Sequence, residues 1–147
     1  EPPAPTEVAA RTEATAARWA AALARPHAAE RSQPQTWSTL EYGCHVRDVC
    51  VIFGERLSQM LDEDNPTFAN WDQDEAAAAD RYHTQNPVEV AERYDAAAHH
   101  TAGLFAAVGP DQWQRPGTRS NGSQFTVATL AVYFLHDLEH HLHDVGG

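Results

Sequence analysis

Tyr133-Phe134-Leu135-His136-Asp137-Leu138-Glu139-His140-His141 carries the strongest structural signal in the chain. Its apolar residues recur at helical spacing, and His136 and His140, four residues apart, fall on one face of that helix. Projected at 100° per residue, they share a stripe with Phe125, Thr129 and Val132, an apolar setting that predicts two inward-facing imidazoles. Ser123, just after Asn121-Gly122, can cap the helix, which then continues to the terminal Gly146-Gly147. Val127, Leu130, Phe134 and Leu138 make it apolar nearly all round, as expected of a central helix or of one that pairs two copies into a homodimer.

Working outward, three more helices can be read. One over residues 6–24 is alanine-rich, has Val8, Ala16, Trp19 and Leu23 at core spacing, and stops near Pro26. A second starts at Trp37 or Ser38, where Ser38 and Glu41 match a capping box, and runs to about Leu61. A third opens with Asn86 as cap and Pro87 in the first turn, aligns Val90, Tyr94, Ala97, Ala98, Thr101 and Phe105, and ends before Gly109-Pro110. No segment alternates with strand periodicity, so the expected fold is all-α: a four-helix bundle forming one domain over residues 1–147. Between the second and third helices, residues 62–85 are too long for a simple bundle loop. That crossover carries Asn70-Trp71-Asp72 and a possible short helix at 74–80; it can link non-adjacent helices or cover the open end of a site.

A formal charge of −11, from 21 acidic and 10 basic residues, argues against binding a phosphate backbone, so no nucleic-acid partner is expected. No apolar run approaches the roughly 20 residues of a membrane span, and Glu1-Pro2-Pro3-Ala4-Pro5 has neither the basic flank nor the apolar centre of a signal peptide. The expectation is a soluble cytoplasmic protein without a membrane partner. Cys44 and Cys50 stand six apart on one helix, about 9 Å along its axis, so they are expected to be reduced and packed as small hydrophobes.

His45 lies in the second helix on a stripe with Val49 and Ile52, and is the natural third partner for His136 and His140. Buried imidazoles without partners are costly, whereas coordinating one cation satisfies all three. The competing reading is three hydrogen-bonded core histidines. His143 is a reserve ligand on the face of His136, while Glu41 and Asp48 are candidates to orient an imidazole or to bind metal directly. His27, His83, His99 and His100 are expected in solvent, and Asp144, placed against the helix dipole, implies another contact. His136-Asp137-Leu138-Glu139-His140 also matches the inverted zinc-protease pattern H-x-x-E-H. That reading fails because its third ligand is a downstream glutamate, for which the seven residues after His140 leave no room.

Trp37-Ser38 leading into Glu41-Tyr42-Gly43-Cys44-His45-Val46-Arg47-Asp48-Val49, then Asn70-Trp71-Asp72, Phe125-Thr126-Val127 and His136-Asp137-x-x-His140-His141-Leu142-x-Asp144-Val145, resemble the DinB-like superfamily. This superfamily includes bacillithiol transferases and mycothiol-dependent maleylpyruvate isomerases. The resemblance implies a four-helix bundle with a long crossover after its second helix, and metal ligands at His45, His136 and His140, usually around zinc or nickel. It also implies a small-molecule substrate and a low-molecular-weight thiol cosubstrate; here the chain departs from the thiol-using groups in having no basic cluster assignable to a thiol, with Arg47, Arg56, Arg81, Arg115 and Arg119 as scattered candidates. The leading expectation is a metal-dependent, thiol-dependent S-transferase or isomerase. The alternatives are a metal-dependent hydrolase, a non-catalytic metal-binding or sensing bundle closed by a fourth protein ligand, and a metal-free binding module.

Overall fold

The apolar spacing of the four predicted helices becomes four long helices, and the connections between them supply the remaining structure. The computed structural model describes residues 3–147, so Glu1 and Pro2 of the opening stretch lie outside the described residues. In chain order the elements are α1 (Pro5–Leu23), α2 (Thr39–Asp62), β1 (Thr67–Phe68), a short α3 (Gln73–Ala79), a 3-10 turn (Tyr82–Thr84), α4 (Pro87–Ala106), β2 (Pro116–Arg119), β3 (Gln124–Thr126) and α5 (Val127–Asp144). Local capping follows the sequence closely. The Ser38 hydroxyl accepts from the Glu41 N–H at 3.1 Å while the Glu41 carboxylate accepts from the Ser38 N–H at 2.9 Å, closing the predicted box. At α4 the Asn86 side chain accepts from the Val88 N–H at 2.9 Å, and Pro87 needs no donor in that turn.

The long helices form a ring in which α1 and α2 each pack on both α4 and α5, so α1–α2 and α4–α5, two of the three consecutive pairs, lie across its diagonals. Val8 and Trp19 of α1, Val46, Val49, Phe53 and Leu57 of α2, Tyr94 and Phe105 of α4, and Leu130, Phe134 and Leu138 of α5 fill the centre. Phe105 and Phe134 meet across one diagonal with ring centroids 5.4 Å apart. Val127, Leu130, Phe134 and Leu138 are fully buried in this core, so the apolar surface that suggested a dimer is covered within the chain itself. Cys44 and Cys50 are free and buried, and burial pushes the Cys44 thiol up to about 12.

The four-helix bundle with its long crossover is as expected, and one small element is added to it. A small sheet of order β1-β2-β3 packs at one end of the bundle, β1 parallel and β3 antiparallel to β2. Asn121-Gly122, read above as a break before the last helix, turns the β2–β3 hairpin, with Gly122 at φ 93° and its N–H donating to the Arg119 carbonyl at 2.8 Å. The last helix therefore begins four residues beyond Ser123, at Val127, with Thr126 as its cap. Gly117 lets β2 lie directly on α2, since a Cβ there would stand 2.8 Å from the Met60 side chain.

The crossover is a cover. It joins α2 to α4, which are neighbours in the ring, so its length is not needed for spanning. Buried Arg56 lies 5.4 Å from the Phe53 ring and 4.9 Å from the Phe68 ring, and donates to the Ala69 carbonyl at 3.0 Å. This clamp fixes the strand just before Trp71, whose ring lies flat over His45 with centroids 5.5 Å apart. Asp72 then caps α3, the short helix anticipated inside the crossover. Among the described residues, no helix is long and apolar enough to cross a membrane.

Candidate metal centre

The rotation of α5 decides which of its polar residues meet α2. Val127, Leu130, Ala131, Phe134, Leu135, Leu138 and Leu142 define its buried stripe. Asp137 and His141, one turn apart, sit at the edge of that stripe facing α2, and each is half-buried. His136 and His140 are rotated back by 100°, and with Thr129, Val132 and His143 they face solvent.

His45 is buried and directs Nε2 to the Asp137 carboxylate at 3.2 Å. The second oxygen of Asp137 lies 3.2 Å from His141 Nε2. The other nitrogen of His141, Nδ1, is 3.0 Å from the Asp144 carboxylate. One donor atom from each of His45, Asp137 and His141 lies within 4.8 Å of the others, and among the described residues these three form the group of histidine, cysteine and acidic side chains close enough to share an ion. Burial by itself would push the Asp137 carboxyl up, but its hydrogen bonds to His141 and His45 outweigh that and hold it well below the carboxylate range. Burial likewise opposes charging His141, yet Asp137 and Asp144 together raise its pKa. Trp71 covers one face of the His45 ring, Trp37 packs beside it at 5.5 Å, and Tyr42 packs on His141 at 5.0 Å.

The set proposed from spacing is thus regrouped. His45 is where it was expected, but its partners are Asp137 and His141 in place of His136 and His140. Those two stack on each other outside the bundle, centroids 5.2 Å apart. The apolar stripe assigned to them belongs to the exposed side of α5, where Val132 is 44% accessible. His143 is exposed as well. Glu41 is committed to the capping box and to Arg31, whose guanidinium holds it down to about 2. Asp48 accepts from the Tyr82 hydroxyl and from Arg47 at 3.0 Å, away from His45. Asp144 is the orienting carboxylate that spacing missed, although its position against the helix dipole had marked it.

Two hollows bear on access. One of about 270 Å³, lined by Gln35, Thr36, Trp37, Tyr42, Gln73, Asp74 and His141, opens directly on the group. The larger one, about 720 Å³, lies between α2 and α4 against Arg47, Asp80 and Gln85, and does not include the three converging residues. Of the arginines considered for a cosubstrate, Arg47 binds Asp48, Asp80 and Gln85, Arg56 is the crossover clamp, Arg115 donates to the Met60 and Glu63 carbonyls, and Arg119 binds Asn121 and Ser123. Arg81 starts the 3-10 turn with φ 49°.

Residues 27–145 match the family model of the DinB superfamily. A search of functionally curated proteins returned no match. Among solved structures, the fold is similar to that of YfiT from Bacillus subtilis, described as a probable metal-dependent hydrolase with an unusual four-helix bundle topology, with a TM-score of 0.85 at 15% identity over 97% of this chain and 83% of that one. It is also similar to the mycothiol-dependent maleylpyruvate isomerase, with a TM-score of 0.71 at 12% identity over 99% of this chain, which spans 62% of the isomerase's length. The family match covers most of the chain, from before α2 to the end of α5, and so the chain belongs to the DinB superfamily.

Proposed function

We propose that this protein is a metal-dependent enzyme acting on a small molecule, with His45, Asp137 and His141 holding one divalent ion. The observation that carries this reading is the convergence of those three donor groups beside an unmet need: Nδ1 of His45 is buried with no hydrogen-bond partner. Buried polar groups are mostly hydrogen-bonded, and among the described residues Trp19 Nε1 is the other buried side-chain nitrogen left without a partner. Two imidazoles and a carboxylate suit zinc or nickel among first-row metals, and three protein ligands leave positions for exchangeable groups. When bound, such an ion supplies Lewis acidity, which favours the ionised form of a thiol or of water at neutral pH.

The chain's own residues prepare that chemistry. With an ion bound, Asp144, 3.0 Å from Nδ1 of His141, would hold the proton there and leave the Nε2 lone pair to the ion. Trp71 and Trp37 shield His45 from water, and Arg56 keeps Trp71 in place through the crossover. The residues that would close the coordination sphere of a structural site are occupied or remote: Glu41 by Arg31, Asp48 by Arg47 and Tyr82, His143 by its exposed position. An open centre favours catalysis over mere metal storage or sensing.

For the reaction, a thiol-dependent S-transferase or isomerase is the leading reading, supported by family membership and the likeness to the mycothiol-dependent enzyme. A metal-dependent hydrolase is the second reading, favoured by the closer structural likeness to YfiT and by the absence of arginine from the cleft at His141. Cobalt-loaded protein separates them. On the first reading, a low-molecular-weight thiol added at millimolar concentration changes the visible cobalt spectrum of the wild type but not of His141→Ala. An unchanged wild-type spectrum, with cobalt fully bound, would discard the thiol step in favour of hydrolysis.

A further inference from the structure

The cleft leading to the metal centre has a chemistry of its own. Trp37 and Tyr42 meet at an interplanar angle of 73° with ring centroids 5.4 Å apart, forming two walls of a corner. Asp74, Gln35, Thr36, Gln73 and His141 complete the lining. No arginine contributes, and the one basic group of the lining, His141, is paired with Asp137 and Asp144. Arg31, in the same segment before α2, is held by Glu41 and the Pro34 carbonyl. The packing of Trp37 on His45 and Tyr82 accounts for its buried edge, and the dipole of α3 accounts for an acidic residue in its first turn. Neither accounts for an aromatic corner and an acidic residue lining one open hollow.

Aromatic faces and a carboxylate attract the same kind of group, an organic cation, and they disfavour a carboxylate or phosphate. The formal charge of −11 reinforces the preference at longer range. A hollow of about 270 Å³ is small for a whole drug-sized ligand and suits one end of a substrate. We propose that this cleft binds an alkylammonium group, so that the substrate or cosubstrate presented to the centre carries a positively charged amine and not an anionic anchor. The proposal rests on the metal-centre reading only for where the reacting end lies; the ammonium contact is made by Trp37, Tyr42 and Asp74, none of which is a proposed ligand of the ion.

A matched series tests it: choline, its neutral isostere 3,3-dimethylbutan-1-ol, and the anion 3,3-dimethylbutyrate. Each is titrated into metal-loaded and metal-stripped protein while the indole N–H resonance of Trp37, assigned with Trp37→Phe, is followed by NMR. Choline is expected to bind about tenfold more tightly than the alcohol, with the carboxylate weakest. Asp74→Asn, at an exposed position and checked by thermal melting, is expected to cut the choline preference about threefold. Equal affinities for choline and the alcohol, tighter binding of the carboxylate, a preference unchanged in Asp74→Asn, or a Trp37 signal moved by none of the three would each overturn the proposal. Metal content measured on the same samples keeps the two readings apart. Absent metal with the choline preference intact would remove only the metal centre, and full metal with no preference would remove only the ammonium site.

Discussion

The two faces of α5 carry nearly the same residues to opposite ends. Asp137 and His141 face α2, half-buried, and meet His45; His136 and His140, one residue earlier at each step, stack on each other in solvent. Four-residue spacing is common to both pairs, so spacing cannot choose between them. What chooses is the rotation of the helix, and that is set by the large apolar residues Leu130, Phe134, Leu138 and Leu142.

The largest effect should come from the residues that set this rotation. Phe134→Ala, in the fully buried core between Phe53 and Phe105, is expected to cost about 3–5 kcal/mol in denaturant unfolding, whereas Val132→Ala on the outer face should stay within about 0.5 kcal/mol. Similar losses for both would mean that α5 is rotated differently. Next comes the support of the inner pair. Asp144→Ala, which frees Nδ1 of His141, should weaken metal binding about 10- to 100-fold by calorimetric titration; unchanged affinity would place Asp144 outside the centre.

Much of this was legible beforehand. The four long helices, the caps of α2 and α4, the free cysteines and the burial of His45 follow from apolar period, capping chemistry and burial. The sheet was not legible, because strands of two to four residues are too short to alternate, although Asn121-Gly122 is itself a strong hairpin signal. The partners of His45 were hidden for a different reason. A search for paired imidazoles passes over Asp137-x-x-x-His141, and a stripe anchored on Phe125, which lies in β3 and outside α5, mistakes the outer face for the inner one. Asp144 was the usable clue: a carboxylate set against a helix dipole needs a partner, and four-residue neighbours point it to the end of α5 that bears His140 and His141.

Smaller effects test the frame around the centre. Glu41, held down to about 2 by Arg31 and the Ser38 N–H, contributes stability that is fully present above the usual glutamate value of 4.5 and is lost as pH falls toward 2. Glu41→Gln should therefore be less stable than wild type by about 1 kcal/mol at neutral pH, with the gap closing in acid. A gap that persists at pH 2 would show that the ion pair is not its origin. The smallest effect belongs to the outer pair, where His136→Ala should leave the melting temperature and the metal affinity of the inner group unchanged.

The most direct measurement is the metal content of untagged protein after reconstitution with zinc or nickel, compared across His45→Ala, Asp137→Ala, His141→Ala, His136→Ala and His140→Ala. The expected result is one equivalent retained by wild type and by the His136 and His140 variants, and lost from the other three. Loss from His136→Ala and His140→Ala, with full metal in His141→Ala, would return the centre to the outer pair and contradict the geometry described above.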